Sequence, residues 1–354
     1  MNLKSQRIVE EYRELKPDFQ KLGEMVVADL KKVVGEAGIE IQTIEFRVKK
    51  EDSLIGKLGR KGDKYTSLSD ITDVLGVRII CFFADDVNKV AAILERMFLI
   101  DWENSVDKRA QLSPDTFGYL ALHYICSVEA DSGYPEKMCE QRFEVQMFSM
   151  LQHVWNLINH GLGYKSEFGV PRRITRKFSR VAGLLEIADD EFMSIRDHVN
   201  QYSSEIRERI ANNTADDVEL DLVSLREFVF HNREMHRFLL EIADLCGAKI
   251  SEIDPESYLV QLRWLGKTNI GELQEMLQEN RKLAYELAGQ SLRNADLDIL
   301  STNMGLKYLC RAELLNKDYS REKVIEFLKL SLRKADRAEK QADRLLGFRE
   351  KNHG

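Results

Sequence analysis

The sequence is poor in the features that build disulfide scaffolds, structural metal sites and membrane spans. Its five cysteines are odd in number, scattered along the chain, and spaced unlike the ligands of a zinc site. No apolar run approaches the roughly 20 residues of a membrane-spanning helix, and residues 1–16 carry charges where a signal peptide would be apolar. The composition therefore predicts a cytoplasmic protein with reduced thiols and no membrane partner.

The common phosphate-binding loops are missing as well. The chain contains no GxxxxGK[ST] sequence and no GxGxxG after a predicted strand. This excludes a Walker loop and disfavours a dinucleotide-binding fold. A net charge of −7 argues against a surface devoted wholly to nucleic acid. Any nucleotide site must therefore be built from another arrangement of residues.

The hydrophobic pattern divides the chain into two parts. Residues 1–211 mix strand-like and helix-like segments, whereas residues 212–354 show mainly helical periodicity after the linker-like NNTADD. A chain of 354 residues is long enough for two domains. We predict an α+β domain at 1–211 and a helical domain of unknown role at 212–354, whose helices can bind a second copy or another protein. Pro17 interrupts a helical pattern over residues 5–36, which predicts two shorter helices there.

The most informative stretch follows residues 41–48, where β-branched and aromatic residues predict a strand. A helix capped by Asp52 or Ser53 should come next. Ser53 and Lys57 then lie on successive turns, near the positive N-terminal end of that helix. Hydroxyl and ammonium groups in this position are suited to the phosphates of a nucleotide.

A single acid, Asp73, stands just before a continuous apolar run at residues 77–83, which predicts a buried strand. Burying a carboxylate is costly unless a cation lies beside it. One interpretation is that Asp73 binds a Mg²⁺ ion carried by a nucleotide. The other is that it forms an ion pair with Arg78. The residues alone leave both interpretations open.

Two later predicted strands each carry polar side chains on one face. Tyr119 and His123 are four residues apart, and Glu144 and Gln146 are two apart, so each pair shares a face. An acid that faces a nucleotide cleft can accept the proton of an attacking hydroxyl. The alternative for the first pair is a half-buried tyrosine and a hydrogen-bonded histidine with no chemical role.

A basic segment, RRITRKFSR, begins at Arg172 and opens a long helical pattern. Such clusters are usually a solvated face, yet one beside a nucleotide cleft can also bind phosphates or RNA. The candidates for tRNA contact are Arg172, Arg173, Arg176 and Lys177.

Four motifs occur in order along the chain. They are RxKxxxSxxxK from Arg47 to Lys57, DxxGxR from Asp73 to Arg78, FGYLALHY, and FEVQ. In order and spacing they resemble the synthetase domain of Rel/SpoT-type alarmone synthetases, and the resemblance covers residues 40–185. It implies a nucleotidyltransferase-like mixed sheet with flanking helices. It also implies transfer of pyrophosphate from ATP to the 3′-hydroxyl of GDP or GTP.

The resemblance implies how the first motif binds ATP. Arg47 would lie over the adenine. The residues implied to hold phosphates are Lys49, Ser53 and Lys57, with Arg78 and Lys165 as weaker candidates.

The resemblance assigns the remaining motif residues to the metal and the acceptor. Asp73 would bind Mg²⁺. Glu144 would be the general base and a second metal ligand. Tyr119 would stack on the acceptor base, with His123 and Gln146 helping to orient the acceptor.

Three features depart from the family pattern. Phe148 stands where the family has an arginine, Ala121 where it has a serine, and LSPDTF replaces a lysine-bearing loop. Related toxic enzymes pyrophosphorylate the 3′ end of tRNA, which is one alternative function. A catalytically weak nucleotide sensor with a helical interaction module is another. None of the seven histidines is followed directly by aspartate, so the family's hydrolase domain is not expected.

Overall fold

The computed structural model describes residues 3–61, 64–107, 121–130, 132–161, 171–293, 295–331 and 335–352. Packing divides the chain into two compact units, Met1–Arg196 and Asp197–Gly354. The division falls inside one long helix, α6 (Arg172–Ala211). The domain limits predicted from composition, 1–211 and 212–354, lie instead at the end of that helix and stay a prediction.

The N-terminal unit begins with a single helix, α1 (Leu3–Glu36), so the prediction of two helices broken at Pro17 is wrong. Tyr12, Phe19 and Leu22 lie on both sides of the proline and are buried. Their packing offsets the backbone hydrogen bond that proline cannot make. Tertiary contacts therefore outweigh the local preference.

The described strands of this unit form one six-stranded sheet. Its order is β1-β2-β6-β5-β3, and β4 pairs with β5. β2 and β6 run parallel, whereas the other pairings are antiparallel. The sheet is therefore mixed, and the predicted α+β class is confirmed. The strands are β1 (Ile41–Val48), β2 (Leu75–Cys81), β3 (Leu99–Ile100), β4 (Val106–Asp107), β5 (Leu122–Ser127) and β6 (Phe143–Ser149).

Helices flank the sheet. They are α2 (Glu51–Lys61), α3 (Asp86–Met97), α4 (Glu136–Cys139), α5 (Met150–Gly161) and α6. α2 starts before Asp52 and Ser53, so both lie within its first turn and neither is the capping residue expected from the sequence. A short 3-10 turn, Leu68–Asp70, lies between α2 and β2.

The C-terminal unit is mostly helical, as the sequence predicts, and has its own hydrophobic core. Two short strands, β7 (Lys249–Ser251) and β8 (Ile299–Ser301), pair in parallel. Its helices are α7 (Leu222–His231), α8 (Arg233–Asp244), α9 (Glu256–Trp264), α10 (Ile270–Leu292), α11 (Asn303–Asn316), α12 (Arg321–Lys329) and α13 (Ala335–Asn352). Among the described residues, no helix has the length and apolar character needed to cross a bilayer.

Candidate active site

The sheet register brings distant motifs together. Arg47 on β1 stands opposite Gly76 on β2, and Gly76 stands opposite Glu144 on β6. Gly76 has no side chain, and a Cβ added there would lie 4.0 Å from Arg47 Cγ. Residues nearly 100 positions apart therefore face one cleft.

This cleft has a volume of about 840 Å³ and lies over β1, β2, β6 and α2. It is strongly polar, since both cations and carboxylates line it. The residues predicted from the sequence that line it are Arg47, Lys49, Ser53, Lys57, Asp73, Arg78, Glu144 and Gln146.

Two lysines neutralise Asp73. Lys49 Nζ lies 2.8 Å from Asp73 Oδ2, and Lys57 Nζ lies 2.7 Å from Asp73 Oδ1. Arg78 instead pairs with Glu45, at 3.2 Å. The alternative in which Asp73 pairs with Arg78 is therefore wrong, and each carboxylate oxygen of Asp73 accepts a hydrogen bond from a lysine.

Burial alone would raise the pKa of the Asp73 carboxyl. Hydrogen bonds and positive charge from Lys49 and Lys57 outweigh burial and hold this pKa below its usual 3.8. Burial lowers the pKa of Lys57, but Asp73 and, to a smaller extent, Tyr65 together outweigh burial and raise it. Asp73 and Lys57 are consequently both charged at neutral pH.

Glu144 is held by two neighbours on the sheet. His123 Nδ1 lies 3.0 Å from Glu144 Oε1, and Gln146 Nε2 donates to Glu144 Oε2 at 2.8 Å. Burial raises the pKa of Glu144, but His123 and Gln146 outweigh it, so the net pKa is lowered. The negative charge of Asp73 acts in the opposite direction on Glu144. The two acids are thus close enough to repel each other within one site.

Helix α1 supports the part of the cleft at the end of β1. The hydroxyl of Tyr12 donates to the backbone carbonyl of Lys49. Burial raises the pKa of this hydroxyl, with a further contribution from the charge of Glu51. Tyr12 therefore stays protonated and fixes the backbone at the end of β1.

Sequence reasoning missed some of the cleft's charge. Glu45, Lys50 and Lys61 also line it. The signal for Glu45 was available, because it is two residues before Arg47 on the same strand and so shares its face. Lys61 follows Lys57 by four residues on α2 and could have been found by helical spacing.

Other predicted site residues lie either outside the described residues or away from the cleft. Tyr119 and Lys165 lie outside the described residues, and their predicted roles stay predictions. The four basic residues of α6 do not line the cleft and are exposed, namely Arg172, Arg173, Arg176 and Lys177.

Phe148 shares a face of β6 with Glu144 and Gln146 but is fully buried. Its ring lies 5.8 Å from that of His153 on α5 and 6.3 Å from that of His123. The position that carries an arginine in the family is therefore closed by an aromatic contact, and no charge reaches the cleft from it.

The donor set suits a divalent cation bound together with a nucleotide. Asp73 and Glu144 supply hard carboxylate oxygens, which Mg²⁺ prefers. No cluster of three or more His, Cys, Asp or Glu ligands occurs in the part of the chain that the structure describes. A metal here would need substrate phosphates to complete its coordination, which is usual for Mg²⁺.

Comparison with known proteins shows what this region is similar to. Residues 46–168 match the family described as "Region found in RelA / SpoT proteins". GTP pyrophosphokinase YwaC of Bacillus subtilis is 26% identical over 166 residues, which cover 45% of this chain and 76% of the relative. GTP pyrophosphokinase YjbM of the same organism is 26% identical over 162 residues, which cover 46% of this chain and 74% of the relative.

Similar solved structures include the small alarmone synthetase 1 of Bacillus subtilis. It is 24% identical, covers 54% of this chain and 98% of its own, and superposes with a TM-score of 0.45. A GTP pyrophosphokinase family protein from Streptococcus pneumoniae is 23% identical, covers 57% and 97%, and gives a TM-score of 0.46. The match over residues 46–168 confirms the resemblance carried by the four motifs, and it covers less than half of the chain.

Proposed function

We propose that this protein is a cytoplasmic pyrophosphokinase that transfers pyrophosphate from ATP to the 3′-hydroxyl of GDP or GTP. One observation carries the proposal: a single cleft within the RelA/SpoT region holds a row of cations beside two ionised carboxylates. Cations suit the phosphates of ATP, and the carboxylates suit a metal ion and a proton acceptor.

ATP binding would use the cations of β1 and α2. Lys49, Ser53 and Lys57 line the cleft between the end of β1 and the first two turns of α2, and Arg47 lies on β1. In the free protein Lys49 and Lys57 are held by Asp73. When a triphosphate enters, its oxygens compete for these ammonium groups, and Asp73 becomes free to bind a cation.

Glu144 is suited to be the general base. Its lowered pKa keeps it ionised near neutral pH, and His123 and Gln146 fix its orientation. The 3′-oxygen of the acceptor attacks the β-phosphorus of ATP and the bond to the oxygen between the α- and β-phosphorus breaks. AMP leaves, and the hydroxyl proton passes to Glu144. Positioning and charge stabilisation supply most of the acceleration in such reactions.

Asp73 and Glu144 are the residues that would hold Mg²⁺. When bound, this cation would neutralise negative charge on the transferred phosphates.

A guanine nucleotide is a better candidate for the acceptor than tRNA. Both curated relatives are named GTP pyrophosphokinases. The basic residues of α6 that would serve tRNA do not line the cleft. A sensor without activity is also disfavoured, because a protein that only binds a nucleotide has no need of two ionised acids in one site.

The decisive experiment incubates the purified protein with ATP labelled in its γ-phosphate and, separately, with GDP, GTP or tRNA. We expect label in a product of GDP or GTP and none on tRNA. Glu144→Gln should reduce the rate by on the order of a hundredfold or more, because it removes the base and keeps the shape. Label on tRNA alone would refute the proposed acceptor, and a fully active Glu144→Gln protein would refute the proposed base.

A further inference from the structure

Helix α11 of the C-terminal unit carries two half-buried cations, Lys307 and Arg311, that form no ion pair within the described residues. They are four residues apart, so they lie on the same face of the helix. Lysines and arginines that leave the surface are normally paired with a carboxylate. The other buried or half-buried cations in the described part of this unit follow that rule, since Arg209 pairs with Asp217, Lys267 with Glu313, Arg281 with Glu241 and Arg349 with Asp318.

Neutral groups surround the two cations instead. Gln341 on α13 accepts a hydrogen bond from Arg311 Nη2 at 2.7 Å. Lys307 Nζ lies 5.3 Å from the centre of the Tyr308 ring. Burial raises the pKa of Tyr258 on α9 to about 12, while the charge of Arg311 acts on it in the opposite direction. Tyr258 therefore keeps its hydroxyl proton close to the two cations and can donate it in a hydrogen bond.

The two positive charges oppose each other. Burial, and after it the charge of Arg311, lowers the pKa of Lys307 to about 8. Burial also lowers the pKa of Arg311. No carboxylate of the described residues contributes to either shift. At neutral pH most molecules still carry both charges side by side, and a bound anion would stabilise them.

We propose that Lys307, Arg311 and Tyr258 form a binding site for the phosphate group of a small molecule. Two positive charges match a phosphate monoester, which carries close to two negative charges at neutral pH because its second pKa is about 6. A guanidinium fork and a lysine ammonium are common ligands of phosphate, and a carboxylate ligand would neutralise only one of them. The site shares no residue with the catalytic cleft, so it stands apart from the proposed pyrophosphate transfer.

Hydrogen exchange of the full-length protein, measured by mass spectrometry at constant ionic strength, tests the site with inorganic phosphate as the probe. Phosphate bound there should slow exchange in α9 and α11, whereas phosphate in the catalytic cleft acts on β1 and α2. Lys307→Met with Arg311→Gln should weaken the phosphate affinity read from α11 at least about tenfold, because two charge-assisted hydrogen bonds are lost. Arg237→Gln with Lys282→Met is the matched control. It removes the same charge from exposed positions of the same unit and should leave that affinity unchanged.

Two further probes identify the ligand. AMP is a phosphate monoester, and acetate carries a single negative charge. Protection of α11 by AMP as well as by inorganic phosphate would show that the site accepts a monoester. Protection by inorganic phosphate alone would identify free phosphate as the ligand. Acetate at the same concentration should leave exchange in α11 unchanged.

The single variant Lys307→Met separates a binding role from a structural one. An unpaired, half-buried cation costs stability when no anion is bound. The free energy of unfolding of this variant in phosphate-free buffer should therefore equal or exceed that of the wild type. Urea denaturation of the full-length protein measures it.

Four results would overturn the proposal. The first is exchange in α9 and α11 that does not respond to phosphate, and the second is wild-type phosphate affinity in the double variant of Lys307 and Arg311. The third is protection by acetate equal to that by phosphate. The fourth is a loss of stability on Lys307→Met in phosphate-free buffer, which would show that the lysine stabilises the fold by itself.

Discussion

At the scale of single residues, the site depends on what neutralises Asp73. Two ammonium groups do so in the free protein, at 2.7 and 2.8 Å. The same lysines are the proposed ligands of the ATP phosphates, and they cannot serve both partners fully at once. Nucleotide and metal should therefore bind together. A nucleotide that takes the two lysines frees Asp73 for the metal, and a metal that takes Asp73 frees the lysines for the nucleotide.

The ion pairs of Asp73 also make the stability of the fold depend on pH. The pKa of Asp73 is lowered below 3.8 in the folded protein, so its ion pairs contribute stability above pH 3.8 and lose it as the pH falls through the folded value. We expect wild type and Asp73→Asn to differ in free energy of unfolding at neutral pH, and the difference to shrink below pH 3.8. Urea denaturation across this range measures it. A difference that grows as the solution becomes more acidic would contradict the assignment.

Lys57→Met should weaken nucleotide binding more than it destabilises the fold. The side chain keeps its length but loses its charge, so the KM for ATP should rise by about tenfold, which corresponds to about 1.4 kcal/mol. Lys64→Met is the matched control, because Lys64 is exposed and does not line the cleft. Steady-state kinetics at saturating GDP measure both. Equal effects of the two changes would mean that Lys57 acts only through the net charge of the protein and not through contact with ATP.

At the scale of elements, the backbone follows local rules except where packing competes with them. α1 continues through Pro17, whose ring removes one helical hydrogen bond to Arg13. Its buried face lies against the sheet, and Tyr12 on that face fixes the backbone of Lys49. Helix, strand and site are thus connected by one hydroxyl group.

Replacing Pro17 measures how much stability the missing hydrogen bond costs. Pro17 is exposed, so Pro17→Ala loses no core contact and regains the hydrogen bond. After allowance for the more flexible unfolded chain, the free energy of unfolding should rise by about 1–2 kcal/mol. Glu14→Ala, at another exposed position of α1, is the control. A loss of stability on Pro17→Ala would contradict this estimate and show that the proline stabilises the packed form of α1.

The sequence predicted what depends on short spacing. The strand at residues 41–48 follows from alternation, and the shared face of Glu144 and Gln146 follows from a period of two. It did not predict the lysine partners of Asp73, which are 24 and 16 residues away. Nor did it predict the contact of His123 with Glu144, which requires the register of β5 on β6. Such pairings depend on how helices and strands pack against one another, and the spacing of residues along the chain does not determine that packing.

At the scale of the whole molecule, two units each have a separate hydrophobic core. The motifs and the cleft lie in the first unit, and the second contains a buried polar cluster centred on Glu313. Lys267 and Lys317 lie 3.1 and 2.9 Å from Glu313, and Asn280 donates to it at 2.7 Å. The second unit therefore relies on charge pairing as well as on apolar packing.

Glu313→Ala should destabilise the C-terminal unit and leave the N-terminal unit unaffected. Removing the acid leaves Lys267 buried without its partner, which typically costs roughly 3–5 kcal/mol. Hydrogen exchange measured by mass spectrometry should show lost protection in α10 and α11, while β1, β2 and β6 keep theirs. Glu275→Ala, an exposed position on α10, should change neither. Equal loss of protection in both units would mean that they unfold as one cooperative body, and the separate cores would then not act as separate units of stability.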